Sequence, residues 1–275
     1  MSAINAYGKD CNIKTYILGL ESAFRGNKLI ANLSNPIFEI EKFSGLDARS
    51  LLEEDLLKYY SPEKTKLLLH RQISSAEIGC AFSHNLIYQN MVKNSINSAL
   101  VLEDDAKLIS LDKLISTMNQ FQSDLRFREI PSVLQLGSQN FTDKNSKGLI
   151  MSIRFPGYCT YAYILNLAAA HKLFNSSLKI YSTADWPLTS MDVKWFRSPT
   201  VLFENGDQEN SIISQERNIV YDQNKNHIMA FLQKTNIRIK LLSGYQIYKA
   251  FKLGLPWKLI LKWEFLFKPY RKFNK

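Results

Sequence analysis

The chain has 275 residues, of which 45% are apolar and 12% aromatic, and its formal net charge is +10. This size allows a full hydrophobic core in one large domain, with or without an appendage. No run of about 18 uncharged apolar residues occurs, which argues against a membrane-spanning helix. Cys11, Cys80 and Cys159 are odd in number and form no CxxC, so free thiols are expected rather than a disulfide framework or a zinc site.

The first residues, MSAINAYGKD, carry no basic segment ahead of the apolar stretch and no small-residue cleavage site after it. A signal peptide is therefore not expected, and a cytoplasmic location is. Hydrophobic periodicity and turn residues then predict the elements. In chain order they are strands over 12–20 and 37–43, a helix from Ser61-Pro62, a helix from Ser74 through Met91, a strand over 98–102, a helix over 111–127, strands over 132–136 and 158–165, a helix capped by Asn166, and strand-like text over 193–203 broken at Pro199.

Strands that alternate with helices predict an α/β fold with a mixed, mainly parallel sheet. In such sheets, ligands collect at the carboxyl ends of the strands. The stretch ALVLEDDA places Glu103, Asp104 and Asp105, called here the acidic run, at the end of a short apolar strand. Three adjacent carboxylates near a core are costly unless a cation or hydrogen-bond donors compensate.

The acidic run has several interpretations. Mg²⁺ and Mn²⁺ are usually held by one or two protein carboxylates, with phosphate oxygens and waters completing the shell. A nucleotide sugar would supply that phosphate, and a cation would offset the charge left on its diphosphate. Acidic triplets after strands also occur as solvated turns and in phosphotransfer and nuclease sites, so the run alone leaves these alternatives open.

Neighbouring motifs narrow the choice. The predicted helix segment RQISSAEIGCAFSHNLIYQNMV and the predicted strand segment ALVLEDDAKLI resemble the two signature blocks of glycosyltransferase family 25. The opening YILGLESAFR, with Arg25, resembles the start of that family's pattern. So do the later segments that begin at Gly157, Asp185 and Gln208, and the resemblance spans about residues 14–217. The chain departs from the pattern at Gly19, where Asn is usual.

This resemblance implies a GT-A-like nucleotide-diphospho-sugar transferase fold and a metal-dependent, inverting transfer of a hexose. The donor it implies is UDP-galactose first, with glucose or N-acetylhexosamine compatible. The implied acceptor is a lipid-linked oligosaccharide of the lipopolysaccharide or lipooligosaccharide type. It also implies that Asp105 binds Mn²⁺ (or Mg²⁺) directly, and that Glu103 shares the metal or contacts the ribose. Asp104 is expected beside the nucleotide or, because alternate residues of an extended segment face opposite sides, in a structural role.

An inverting transferase needs a carboxylate that takes the proton of the acceptor hydroxyl. Asp185, the acid of TADWPL, is the predicted base, with Asp192 second and Glu204 third. Asp185 is equally suited to capping a helix that opens at Pro187.

Three further residues are predicted to contact the donor. Glu77 would contact the donor, and the alternative is that it serves as the acid of a capping box, Ser74-x-x-Glu77. His84 would bind a phosphate or orient a carboxylate, and a satisfied buried histidine is the alternative. Arg25 would face the diphosphate or lie on the solvated face of a first helix.

The net charge is concentrated in residues 234–275, which hold eleven Lys or Arg and one acid, Glu264. This basic tail interleaves cations with Tyr, Phe, Trp and Leu, as do segments that lie on anionic membranes. Residues 1–233 are then the catalytic domain, and the protein is expected to be peripheral to the inner membrane. Packing against the body and nucleic-acid binding are the alternatives for the tail.

Two other functions compete with glycosyl transfer. A metal-dependent nuclease or phosphotransferase would use the acidic run for catalysis and the basic tail for nucleic acid. A non-catalytic membrane adaptor would keep the fold without the chemistry. The family resemblance favours glycosyl transfer and no nucleic-acid partner.

Overall fold

The computed structural model describes residues 12–69, 71–124, 127, 130–137, 149–153, 160–175, 179–184, 192–206, 213 and 216. The basic tail and the predicted base Asp185 lie outside these residues. Within them, no helix combines the length and the hydropathy needed to cross a bilayer.

The described residues contain nine strands. They are β1 (Ile13–Gly19), β2 (Phe38–Ser44), β3 (Ser98–Glu103), β4 (Ala106–Leu108), β5 (Ser132–Gln135), β6 (Met151–Ile153), β7 (Ala162–Asn166), β8 (Lys194–Arg197) and β9 (Phe203–Asn205). Seven of them form one sheet in the order β2-β1-β3-β7-β5-β8-β6, and β4 pairs with β9 separately.

The sheet is mixed and mainly parallel, as predicted. The parallel pairs β1–β2, β1–β3 and β5–β8 and the antiparallel pairs of β7 and β6 fix the strand directions. Five strands, β1, β2, β3, β5 and β8, therefore run one way, and β6 and β7 run the other way. The carboxyl end of β3, where the acidic run begins, lies beside the carboxyl end of β1.

Helices cover both faces of the sheet. They are α1 (Asn27–Asn32), α2 (Glu53–Tyr59), α3 (Pro62–Leu69), α4 (Ser75–Lys93), α5 (Leu111–Ser123) and α6 (Leu167–Asn175). Side chains of α4 and α6 share one core cluster with the sheet, and side chains of α1 and α5 share another. The α/β architecture predicted from the alternation of strands and helices is confirmed.

The strand β3 divides its side chains between these two cores. Ala99 and Val101 belong to the core with α4, whereas Leu100 and Leu102 belong to the core with α5. All four are fully buried, which explains the uninterrupted apolar text ALVL. Because successive residues face opposite sides, the next residue of this series, Glu103, emerges on the α4 face.

Most predicted elements appear with boundaries shifted by a few residues. The helix predicted from Ser74 is α4, and both hydrogen bonds of its capping box form. The helix predicted over 111–127 leaves the α5 geometry at Asp124, whose backbone is extended. Arg25 lies in the short loop that precedes α1, not on the helix itself.

The separate strand pair β4–β9 begins directly after the acidic run. Ala106 pairs with Asn205, and the amide of Gly206 donates to the carbonyl of Asp105 at 2.9 Å. A Cβ atom at position 206 would lie 2.2 Å from that carbonyl oxygen, so only glycine permits this approach. The turn that carries the acidic run is thus hydrogen-bonded to a segment about a hundred residues later in the sequence.

Candidate active site

The backbone of the acidic run is held by both neighbours of β3. The Glu103 amide donates to the carbonyl of Tyr161 at 2.9 Å, and the Asp104 amide donates to the carbonyl of Leu18 at 2.8 Å. Asp104 and Asp105 form the turn between β3 and β4. The run therefore has a fixed backbone at the carboxyl ends of parallel strands, where α/β proteins bind ligands.

Asp104 is anchored by Arg25. One carboxylate oxygen, Oδ2, accepts from the Arg25 backbone amide at 2.9 Å, and Oδ1 accepts from the Arg25 guanidinium at 3.0 Å. A Cβ atom at Gly19 would lie 2.7 Å from Oδ2, so the glycine that departs from the family pattern leaves room for this carboxylate. These contacts support the structural alternative for Asp104 rather than direct cofactor binding.

Asp105 is a buried carboxylate with an unsatisfied oxygen. Its side chain is 12% exposed, and Arg25 reaches Oδ2 at 3.4 Å. Oδ1 is buried and has no hydrogen-bond partner among the described residues. Burial raises the pKa of Asp105 to about 6, Glu103 and Asp104 add to this rise, and Arg25 opposes it. An oxygen of this kind has the hard, anionic character that Mn²⁺ and Mg²⁺ bind, so the site fits a divalent cation.

Glu103 points to α4 and is positioned by His84. Its Oε1 lies 3.4 Å from His84 Nε2 and accepts from Thr160 Oγ1 at 3.3 Å. His84 Nδ1 lies 2.8 Å from the Tyr163 hydroxyl, which in turn contacts the Tyr88 hydroxyl at 3.1 Å. His84 is nearly fully buried, whereas Glu103 keeps a quarter of its side chain exposed. His84 is thus suited to orienting a carboxylate, one of its predicted roles.

Glu77 belongs to the start of α4. Its carboxylate accepts two bonds from the Arg71 guanidinium, each at 2.8 Å, and one from the Ser74 amide at 2.9 Å. Seven helical residues separate it from His84, which is about 10 Å along the helix axis. The structure therefore gives Glu77 its capping-box role and does not bring it to the acidic run.

The predicted catalytic bases lie in different places. Asp192 precedes β8. Lys194 at the start of β8 pairs with Ser132 of β5, which lies beside Asn166 of β7, and Asn166 pairs with Ser98 at the start of β3. Lys194 and Ser98 therefore lie at the same position along the strand direction. Five residues of strand, about 16 Å, separate that level from Glu103. Asp192 thus lies near the amino ends of the parallel strands, whereas the acidic run lies at their carboxyl ends, which argues against Asp192 as the base.

Glu204 lies much closer to the acidic run. It is exposed on β9 and pairs in register with Lys107 of β4, two residues after Asp105. Glu204 is therefore the predicted base that the described residues place beside the acidic run, whereas Asp185 falls outside them.

Residue patterns did not reveal two members of the site. Thr160 lies in the segment that begins at Gly157, and its hydrogen bond to Glu103 joins residues 57 positions apart. Cys80 was expected only to be a free thiol, yet its sulfur lies within 4.8 Å of ligand atoms of His84 and Glu103. The spacing of Cys80 and His84, one helical turn, was the available signal.

A mainly parallel sheet between two helical layers, with carboxylates at the carboxyl end of a central strand, defines an α/β protein with a GT-A-like nucleotide-sugar transferase fold. The profile described as Glycosyltransferase family 25 (LPS biosynthesis protein) matches residues 12–189. This match covers well over half of the chain. The protein belongs to glycosyltransferase family 25.

Curated relatives agree with this assignment. A "Glycosyltransferase 25 family member" of Aedes aegypti is 26% identical over 166 residues, which are 58% of this chain and 27% of the relative. A protein of the same description from Drosophila melanogaster is 24% identical over 144 residues, 49% of this chain and 23% of the relative. A Bos taurus relative, 28% identical over 112 residues (38% and 18%), is described as "Probable inactive glycosyltransferase 25 family member 3".

The chain thus spans about a quarter or less of the length of these relatives. Family membership supports a glycosyltransferase activity. The relative described as inactive means that the activity of each member has to be argued from its own site.

Proposed function

We propose that this protein is a metal-dependent, inverting glycosyltransferase that moves a hexose, foremost galactose from UDP-galactose, onto a glycan hydroxyl. One observation carries the proposal: Asp105, at the carboxyl end of the central strand, keeps a buried carboxylate oxygen without a hydrogen-bond partner among the described residues. Burial and two neighbouring acids make that charge costly to keep. A bound divalent cation would offset this charge, and the donor diphosphate would complete the coordination of the cation.

We assign separate roles in donor binding to residues around the acidic run. Asp105 and Glu103 would hold Mn²⁺ or Mg²⁺, and His84 and Thr160 keep the Glu103 carboxylate in one orientation. When bound, the cation supplies a Lewis acid that offsets charge on the leaving diphosphate. Arg25 is 47% exposed and lies against Asp104 and Asp105, so its guanidinium is available to the same diphosphate.

The acceptor hydroxyl needs a base on the face of the sugar opposite the leaving group. Asp185 remains the first candidate, on its family-like motif. Glu204 is supported by its position on β9, next to the turn of the acidic run. Asp185→Asn and Glu204→Gln distinguish them, because loss of the base lowers sugar transfer while UDP still binds. If both variants keep transfer, the base is another residue.

The acceptor class rests on two observations. The matching family is described as an LPS biosynthesis protein. The basic tail carries ten net positive charges among aromatic residues, a composition suited to an anionic bilayer that holds a lipid-linked acceptor. We therefore propose a lipopolysaccharide or lipooligosaccharide acceptor at the cytoplasmic face of the inner membrane.

The experiment is a panel of UDP-sugars assayed for UDP release and glycan transfer, with and without Mn²⁺. We expect one preferred UDP-hexose, dependence on the metal, and a loss of about a hundredfold or more in Asp105→Asn. Asp55→Asn is the matched control, since Asp55 lies on α2 and forms an ion pair with the exposed Lys58. Near-normal turnover in Asp105→Asn, or metal-independent transfer, would refute the proposal. Cleavage of nucleic acid instead would support the nuclease alternative.

A further inference from the structure

Three side chains with metal-ligating atoms meet on the α4 face of β3. Cys80 and His84 are one turn apart on α4, and Glu103 ends β3. One ligand atom of each, the thiol sulfur, a ring nitrogen and a carboxylate oxygen, lies within 4.8 Å of the other two. We call these three residues the Cys-His-Glu cluster. Cys80 and Glu103 are partly exposed, so an ion can reach the cluster from solvent.

The histidine of the cluster is already oriented. Tyr163 donates to Tyr88, so its oxygen can accept from His84 Nδ1–H at 2.8 Å. Metal binding would use this tautomer, in which the Nε2 lone pair faces the ion, whereas without an ion the Nε2–H tautomer donates to Glu103. Histidines that bind metals are commonly fixed in this way, through a hydrogen bond from the other ring nitrogen. Tyr163 and His84 are both buried, so the ring has little freedom to turn away.

The spacing and chemistry of the ligands select a class of ion. His84 Nε2 and Glu103 Oε1 lie 3.4 Å apart, close to the roughly 3.3 Å between two ligands at about 2.05 Å in a tetrahedral zinc site. A thiolate, an imidazole and a carboxylate suit Zn²⁺ and its softer neighbours, whereas Mn²⁺ and Mg²⁺ prefer oxygen alone. The pair at Cys80 and His84 matches the i, i+4 spacing that puts two ligands on one side of a helix.

We propose that Cys80, His84 and Glu103 form a second metal site, selective for Zn²⁺-class ions, which shares Glu103 with the donor site. A zinc ion bound there would take the Glu103 carboxylate away from donor binding and so inhibit transfer. This inhibitory consequence rests on the function proposed above, whereas the binding of the ion does not.

Binding is tested with Co²⁺, which reports thiolate coordination by a charge-transfer absorption in the near ultraviolet. The unmodified protein should bind Co²⁺ with this absorption, as should the control variants Cys11→Ser and Cys159→Ser. Cys80→Ser should lose it, and His84→Gln should weaken Co²⁺ binding by roughly tenfold or more. Circular dichroism verifies that both variants are folded. No thiolate absorption in the unmodified protein, or full absorption in Cys80→Ser, would overturn the site.

Inhibition is tested separately by titrating Zn²⁺ into the UDP-release assay at saturating Mn²⁺. The zinc concentration that halves the rate should rise about tenfold or more in Cys80→Ser relative to Cys159→Ser. Equal sensitivity would mean that zinc acts at the acidic run alone and would overturn the inhibitory role. A protein without transfer activity that still shows the cobalt–thiolate absorption would keep the metal site and refute only the proposed function.

Discussion

Replacing Asp105 with Asn should make the protein more stable while it removes metal-dependent transfer. An aspartate in an unfolded chain titrates near a pKa of about 3.9. In the fold, burial and the neighbouring acids raise the pKa of Asp105 to about 6. The folded state therefore disfavours the charged carboxylate by roughly 3 kcal/mol at pH 7.5. Asn removes this cost but also the contact with Arg25, so the expected gain in unfolding free energy is about 1 to 3 kcal/mol.

The sign of the pH dependence follows from the raised pKa. The cost is fully present above about pH 6 and disappears as the carboxylate protonates between that pKa and the unfolded value. Urea unfolding without divalent cations should therefore give the variant a higher unfolding free energy than the parent at pH 7.5, with about half of this difference left at pH 5. Mn²⁺ should stabilise the unmodified protein and leave Asp105→Asn unchanged, because ligands stabilise only the state that binds them. A variant less stable than the parent at pH 7.5 would refute the reasoning.

Glu77→Gln should lower the unfolding free energy by about 2 to 3 kcal/mol, because it breaks the buried ion pair with Arg71 while Gln can keep the capping-box bond to Ser74, and it should leave the Mn²⁺ requirement of UDP release within about twofold. A changed metal requirement at unchanged stability would instead assign Glu77 to the donor site. Gly19→Ala should reduce transfer about tenfold, since its Cβ would meet the Asp104 carboxylate at 2.7 Å and displace the turn, and normal transfer would show that the turn tolerates the shift. Deletion of residues 234–275 should abolish sedimentation with anionic liposomes but not change the weak binding to neutral ones, and equal binding by the truncated protein would contradict the membrane role of the basic tail.

Local signals predicted much of the fold. The capping box at Ser74 depends on residues three positions apart, and α4 begins there with both bonds formed. Asn166 was predicted to cap the following helix, and its side chain accepts from the Ala169 amide at 2.8 Å. The apolar segment ALVL predicted a short strand, and β3 is that strand, with these four residues fully buried. Each of these depends on neighbours within a few positions.

The site depended on contacts that no local pattern contains. The unsatisfied oxygen and raised pKa of Asp105 arise from burial in the folded chain, and the contact that opposes the rise comes from Arg25, eighty positions earlier. Asp192 looked suitable as an acid near a predicted strand, but the sequence could not tell which end of that strand would face the acidic run. Strand direction is set by pairing in the sheet, and the amino end of β8, which follows Asp192, lies away from the acidic run. The role of Asp185 remains a prediction.

The bond between Gly206 and Asp105 has a consequence for biosynthesis. On the ribosome, strands β1 and β3 and helix α4 emerge early and contain the acidic run, but the partner of β4 is made only after about a hundred further residues. Such distant pairing is slow, because a long loop must close before the contact forms. A nascent chain would therefore expose its three carboxylates to water until β9 arrives, and tight cation binding would mark completed folding.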